Sequence, residues 1–224
     1  MMERKYPNEK KNQVSSADDR IWEYTEKVTK LGPDLLEELL DETYEKMHSP
    51  GKTAGRTVGR ALKMIASMIN SKSALELGTF TGYTALCIAE GMSADGKLYT
   101  CEASPLACDM AQKYFDRSEF GHKIEIVRGM CMDTVPDLDG PFDLVFLDAD
   151  KRNYLNYFKM ILPKVTAGGV IIVDNALWMG NVIDPQSPLD IAVAELNEYI
   201  YSHPDLENVF FIARDGLNIV RKVR

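Results

Sequence analysis

From Ser73 onward, short apolar runs alternate with stretches of helical texture, and this alternation most constrains what the chain can fold into. The runs are ALELG (74–78), KLYTCE (97–102), KIEIVRG (123–129), FDLVFLDAD (142–150) and GGVIIVDN (168–175). TGYTALCIAEGM, SPLACDMAQKYFDR and RNYLNYFKMILPKV lie between them. Strand-like runs separated by helix-length segments argue for parallel βαβ units. Runs apolar at nearly every position argue for strands covered by helices on both faces. After a helix expected at about 188–202, NVFFIA (208–213) and GLNIVRKV (216–223), joined by RDG, read as an antiparallel hairpin. Upstream, residues 15–70 read as helical. Ile21, Tyr24, Val28 and Leu31 recur near helical period behind Ser15 and Ser16 as candidate caps, and LGPD then breaks the pattern. Leu35, Leu36, Leu39, Leu40 and Tyr44 form a second apolar stripe, and Val58, Leu62, Ile65, Ala66 and Ile69 a third over about 54–70. The expected fold is therefore α/β: a doubly wound, mostly parallel sheet of seven strands over 73–224 with an antiparallel C-terminal hairpin, preceded by N-terminal helices, in a single domain spanning 1–224.

Composition narrows the function classes. A net charge of -8 argues against a polyanion as the main partner, because phosphate binding needs clustered Lys and Arg. The N-terminus MMERKYPNEKKNQV lacks the apolar core of a signal peptide, and no run approaches the roughly 18 residues of a membrane span. Cys87, Cys101, Cys108 and Cys131 form no C-x-x-C pair and read as reduced, buried thiols. The expectation is a cytoplasmic protein without a membrane partner.

Open α/β sheets bind ligands beyond the carboxyl ends of their parallel strands, so the polar residues after each run carry the functional information. Glu76 precedes Gly78, and Gly82 opens the next helix, where glycines let the backbone approach a ligand and expose helix N-terminal amides. The spacing is neither the G-x-G-x-x-G of dinucleotide enzymes nor a P-loop. Glu102 ends the second run, where an acid stands either as a partner for both ribose hydroxyls of an adenosine or as a helix N-terminal charge favoured by the macrodipole. Cys131, at the next strand-to-loop junction, stands either as a buried thiol or as a residue beside an adenine. Asp148 ends the fourth run, and Asp174 and Asn175 end the fifth. Taken alone, Asp150 reads equally as a helix cap, and Asp174-Asn175 as a turn. On neighbouring strands about 4.8 Å apart, Asp148, Asp174 and Asn175 converge as a hard-oxygen site suited to Mg²⁺, Mn²⁺ or Ca²⁺ and not to zinc.

LELGTFTGYTAL (75–86), FDLVFLDADKRNYLNYF (142–158) and GGVIIVDNALWMGNV (168–182), in that order, resemble the cation-dependent class I O-methyltransferases. These use S-adenosylmethionine and include the caffeoyl-CoA and catechol enzymes. The resemblance covers roughly residues 45–224. It implies a Rossmann-like fold, S-adenosylmethionine and a divalent cation (Mg²⁺ first) as cofactors, a small aromatic acceptor with vicinal hydroxyls, and a homodimer. Residue by residue, it implies that Asp148, Asp174 and Asn175 are the metal ligands, with Asp148 also near the cofactor. Glu76, Gly78 and Thr84 match contacts to the methionine part of the cofactor, Glu102 the ribose acid, and Cys131 the adenine loop. Asp150 and Tyr157 match further cofactor contacts. Lys151 matches the general base, and Trp178 is expected as a wall of the acceptor pocket. The chain departs from the pattern before the first strand, where Val58 replaces a glutamine ahead of Gly59. The cofactor contact expected within 47–60 has no assignment among Met47, Lys52 and Ala54. A second acceptor class is a 5-hydroxyuridine in tRNA; the acidic net charge opposes it, while the basic run Lys52, Arg56 and Arg60 favours it.

Overall fold

In the computed structural model, which describes residues 19–224 and side chains from residue 24 onward, all the apolar runs are strands. They are β1 (Ser73–Leu77), β2 (Lys97–Glu102), β3 (Ile124–Arg128), β4 (Phe142–Leu147), β5 (Val165–Val173), β6 (Leu206–Phe211) and β7 (Leu217–Lys222). The helices are α1 (Asp19–Val28), α2 (Asp34–Lys46), α3 (Gly55–Met68), α4 (Tyr83–Gly91), α5 (Pro105–Phe115), α6 (Cys131–Thr134), α7 (Tyr154–Ile161) and α8 (Pro188–Ser202). The seven strands form one sheet in the order β3-β2-β1-β4-β5-β7-β6. β1 through β5 pair in parallel, and β7 pairs antiparallel with both β5 and β6. The strand order reverses between β1 and β4, the place where sheets of this type open a crevice.

Burial explains why the parallel runs are apolar throughout. Leu75, Leu77, Leu144, Val145, Phe146, Leu147, Ile171, Ile172 and Val173 are all inaccessible to solvent. One face packs against Leu39 and Leu40 of α2, Val58 and Leu62 of α3, and α4. The other packs against Tyr154, Tyr157 and Phe158 of α7 and Val193 and Leu196 of α8. Each such side chain contributes about 1.5–3 kcal/mol relative to an exposed one. Caps agree with local sequence. Ser104 accepts from the Ala107 amide ahead of Pro105, and Ser187 with Asp190 closes a capping box ahead of Pro188.

Several boundaries differ from expectation. The fourth strand ends at Leu147, not at residue 150, because Asp150 caps a 3₁₀ turn at Lys151–Asn153: its carboxylate accepts from the Arg152 amide and the Asn153 side chain. The fifth strand begins at Val165, three residues early. Ile69, expected on the inner face of a third helix reaching residue 70, is instead the C-cap of α3 and is partly exposed. Tyr24, Val28 and Leu31 are exposed in the single chain. The proposed caps Ser15 and Ser16, and the Ile21 side chain, lie outside the described residues. Among the described residues, no helix is long and apolar enough to cross a membrane.

Candidate functional site

Strand register places the site. Leu77 pairs with Leu147, and Leu147 with Val173, so Gly78, Asp148 and Asp174 are the next residues out on three adjacent strands. The ladder carries on into them: the Asp148 amide donates to the Leu77 carbonyl at 2.9 Å, and the Asp174 amide to the Leu147 carbonyl at 3.1 Å. β7 runs antiparallel to β5, so the turn before it (residues 213–216) reaches the same edge. There the Ala176 and Leu177 amides donate to the Gly216 and Asp215 carbonyls.

A cleft of about 1190 Å³ opens over this edge. Of the residues expected in the site, Gly78, Thr84, Glu102, Cys131, Asp148, Asp150, Lys151, Tyr157, Asp174, Asn175 and Trp178 all line it. Met47 through Ala54 form part of its rim, which is where the unassigned contact region of the sequence lies. Val58 is buried beneath, and Gly59 packs so closely on the Tyr83 ring that a methyl there would meet it at 2.6 Å.

Gly78 has φ +100°, and a Cβ on it would run into the Asp148 carbonyl. Gly78→Ala is therefore expected to destabilise the fold by roughly 2–4 kcal/mol, from left-handed strain plus the clash. Urea denaturation checks this, and an unchanged midpoint counts against it. Gly82, with φ +91°, begins α4 with no side-chain cap, so the first amides of that helix keep their donors. Glu102 is held at both oxygens: Oε2 accepts from the Phe80 amide and Oε1 from the Ser104 amide, each at 2.8 Å. Each oxygen retains lone-pair capacity for a ligand hydroxyl.

Glu76 is not among the residues that line the cleft. It is fully buried and lies behind the cleft wall. Glu76 sits within the paired part of β1, opposite Thr100 and Phe146, so its side chain enters the layer between sheet and helices. Thr100 and Thr84 hydrogen-bond to it, Thr79 bonds Thr100 in turn, and Oε1 has no partner. It braces two cleft-lining threonines from behind. Burial pushes its carboxyl up to about 8, from 4.5. The folded state thus holds a proton that the unfolded state releases between these values. Glu76's contribution to stability is full below about pH 4.5 and is lost as pH rises through 8. Thermal denaturation from pH 4 to 9 is expected to show this decline, and Glu76→Gln is expected to flatten it.

Asp148, Asp174 and Asn175 all line the cleft at this edge. Asp174 is buried, and burial together with the Asp148 charge pushes its carboxyl up, while Lys151 and Arg214 oppose the shift. Lys151 Nζ donates to Asp148 Oδ1 at 2.6 Å and sits 4.7 Å from the centre of the Tyr154 ring. The Tyr154 hydroxyl donates to the Asp174 carbonyl at 3.1 Å. Among the described residues, no group of three or more His, Cys, Asp or Glu side chains is placed to hold a metal; a site built on Asp148, Asp174 and Asn175 would need an amide oxygen as its third donor. Two adjacent carboxylates, one resisting ionisation, fit a hard divalent cation.

Arg214 and Asp215 were not identified as site residues from sequence, where they read only as a hairpin turn. Asp215 is buried, accepts from the Met179 amide and bonds the Asn175 side chain. It thereby fixes the loop that carries Trp178. Six non-glycine residues among those described have left-handed backbone, and five of them line this cleft: Phe80, Asn175, Trp178, Met179 and Arg214. Such strain gathers where the surrounding structure enforces a functional geometry.

The profile of the O-methyltransferase family matches residues 26–223. Caffeoyl-CoA O-methyltransferase 2 of Petunia hybrida is 32% identical over 174 residues, 71% of this chain and 72% of the relative. Flavonoid 3',5'-methyltransferase of Vitis vinifera is 30% identical over 174 residues, 71% of this chain and 74% of the relative. The solved structure of the O-methyltransferase from Bacillus cereus in complex with SAH aligns with a TM-score of 0.84 at 28% identity, covering 91% of this chain and 97% of that one.

Proposed function

We infer the reaction from one premise: this chain belongs to the O-methyltransferase family and is an S-adenosylmethionine-dependent O-methyltransferase. The proposed acceptor is a vicinal dihydroxy aromatic, methylated on one hydroxyl in a divalent-cation-dependent reaction. The observation that carries this reading is the meeting of Asp148, Asp174 and Asn175 at the edge of a cleft whose opposite side holds Glu102. The printed names of the curated relatives, caffeoyl-CoA and flavonoid methyltransferases, support an aromatic acceptor.

When bound, S-adenosylmethionine supplies the methyl group, and a divalent cation supplies a Lewis acid that lowers the acceptor's phenol pKa from about 10. Asp148, Asp174 and Asn175 would hold the cation. Glu102 takes the ribose hydroxyls, the Gly78 turn and the first amides of α4 receive the methionine part, and Cys131 borders the adenine. Lys151, next to the metal trio, would take the acceptor's proton at Nζ as the neutral amine, after releasing the proton it donates to Asp148. Trp178 orients the ring.

The tRNA alternative gains no support. Two of the three basic residues behind it are committed elsewhere: Arg56 hydrogen-bonds Glu37 at 2.8 Å, and Arg60 pairs with Glu90 at 2.6 Å, leaving Lys52 on the cleft rim. We also propose a homodimer, on the strength of exposed apolar residues on α1 and β6, among them Tyr24, Val28, Val209 and Phe211. An acceptor screen with methyl-labelled S-adenosylmethionine and Mg²⁺ tests the reaction. Transfer to catechol, flavonoid or hydroxycinnamoyl acceptors that EDTA abolishes is expected. Transfer to tRNA alone, or equal rates in EDTA, overturns the reading.

A further inference from the structure

Arg214 is a buried cation that the reaction just described does not use. It is 8% exposed, lines the cleft and carries a backbone φ of +52°. Nη1 donates to the Thr53 carbonyl at 3.1 Å. Among the described residues its other N–H groups have no hydrogen-bond partner and no carboxylate forms an ion pair with it, yet none of these groups is sealed away without a partner. They therefore open onto the cleft. A buried guanidinium is costly when uncompensated, and a long side chain on left-handed backbone adds strain. The Asp174 and Asp215 charges favour the guanidinium, but among the described residues neither carboxylate forms an ion pair or a hydrogen bond with it. The neighbouring carboxylates are hydrogen-bonded elsewhere: Asp148 to Lys151, Asp215 to the Met179 amide and Asn175, and Asp174 to the Asn175 amide. Trp178, Met179 and Leu189 line the same cleft and offer an aromatic ring an apolar platform.

We propose that Arg214 receives a carboxylate on the methyl acceptor, so that the preferred substrates are vicinal dihydroxy aromatic acids rather than their neutral or thioester forms. This rests on the O-methyltransferase reading above and deepens it. A planar guanidinium with free N–H groups matches a carboxylate in shape and charge, and the low dielectric of a buried site strengthens that recognition. Tethering by Thr53 holds the group in place before the ligand arrives, which lowers the ordering cost of binding.

The test compares three forms of one ring: 3,4-dihydroxycinnamic acid, its methyl ester and its coenzyme A thioester. For the native protein, kcat/KM is expected to favour the free acid over the ester by roughly tenfold or more. In Arg214→Met and Arg214→Gly the acid-to-ester ratio is expected to fall to about one, and Arg214→Lys is expected to keep part of it. Glycine relieves the backbone strain, so a fold lost in the methionine variant leaves a second variant to measure. A ratio identical in native and variant proteins overturns the proposal, as does a native preference for the thioester that survives substitution. In the latter cases methyl transfer itself persists, so only the role of Arg214 fails. Absence of transfer to all three forms, and to unsubstituted catechol, overturns the parent reading with it.

Discussion

Replacing Asp174 by alanine is expected to lower methyl transfer by about 10³-fold or more, the scale of the several kcal/mol that a Lewis-acid metal supplies. The β4–β5 register sets Asp174 beside Asp148, and Asn175 follows it on the chain, so its loss leaves the trio with a single carboxylate. The same substitution is expected to leave the metal-free fold as stable as before, or more so. Burial and the charge of Asp148 both disfavour the ionised form of Asp174, so its removal relieves a cost. Loss of activity with an undiminished Tm is the signature to look for, measured by labelled-methyl transfer during a Mg²⁺ titration and by thermal denaturation. Activity within about tenfold of the native protein, in Asp174→Ala or in EDTA, sinks the metal role.

The second large effect is at Lys151. As the group that takes the acceptor's proton, its loss in Lys151→Met is expected to cost about 10²–10⁴-fold in kcat. The geometry also offers a plainer role, because Nζ is the ion-pair partner of Asp148 and lies over the Tyr154 ring. Lys151→Arg separates the two. Arginine preserves the charge and the ring contact but does not give up its proton. Recovery of native kcat in Lys151→Arg shows a counter-ion, whereas a kcat as low as that of Lys151→Met identifies the proton acceptor.

The parallel strands were legible because burial on both faces leaves a continuous apolar run. The strand-end acids were legible because charge directly after such a run has few structural reasons to be there. The burial of Glu76 was not legible, because its distance from the strand end decides its direction. Two residues earlier than Gly78, it is still inside the ladder, and its side chain enters the helix layer. Arg214 and Asp215 were not legible at all. A hairpin pattern shows that two strands pair with each other, not that β7 inserts beside β5 and carries its leading turn to the Asp174 edge. The basic run Lys52, Arg56 and Arg60 misled for a related reason, since their sequence neighbours do not reveal that Glu37 and Glu90 neutralise two of them.

The placement of β7 has a consequence for how the polypeptide is made. Of the seven strands described, β7 is synthesised after the other six, yet it lies inside the sheet, between β5 and β6. Until Leu217–Lys222 has left the ribosome, β6 has no strand to join, and the edge of β5 beside the future catalytic cleft stays open. The contact from Arg214 back to Thr53, 161 residues earlier, is equally out of reach. Non-local pairings of this kind form late and expose sticky edges while they wait. A nascent chain arrested a few residues short of Lys222 would thus carry nearly all the chemistry of the cleft and lack the strand that assembles it.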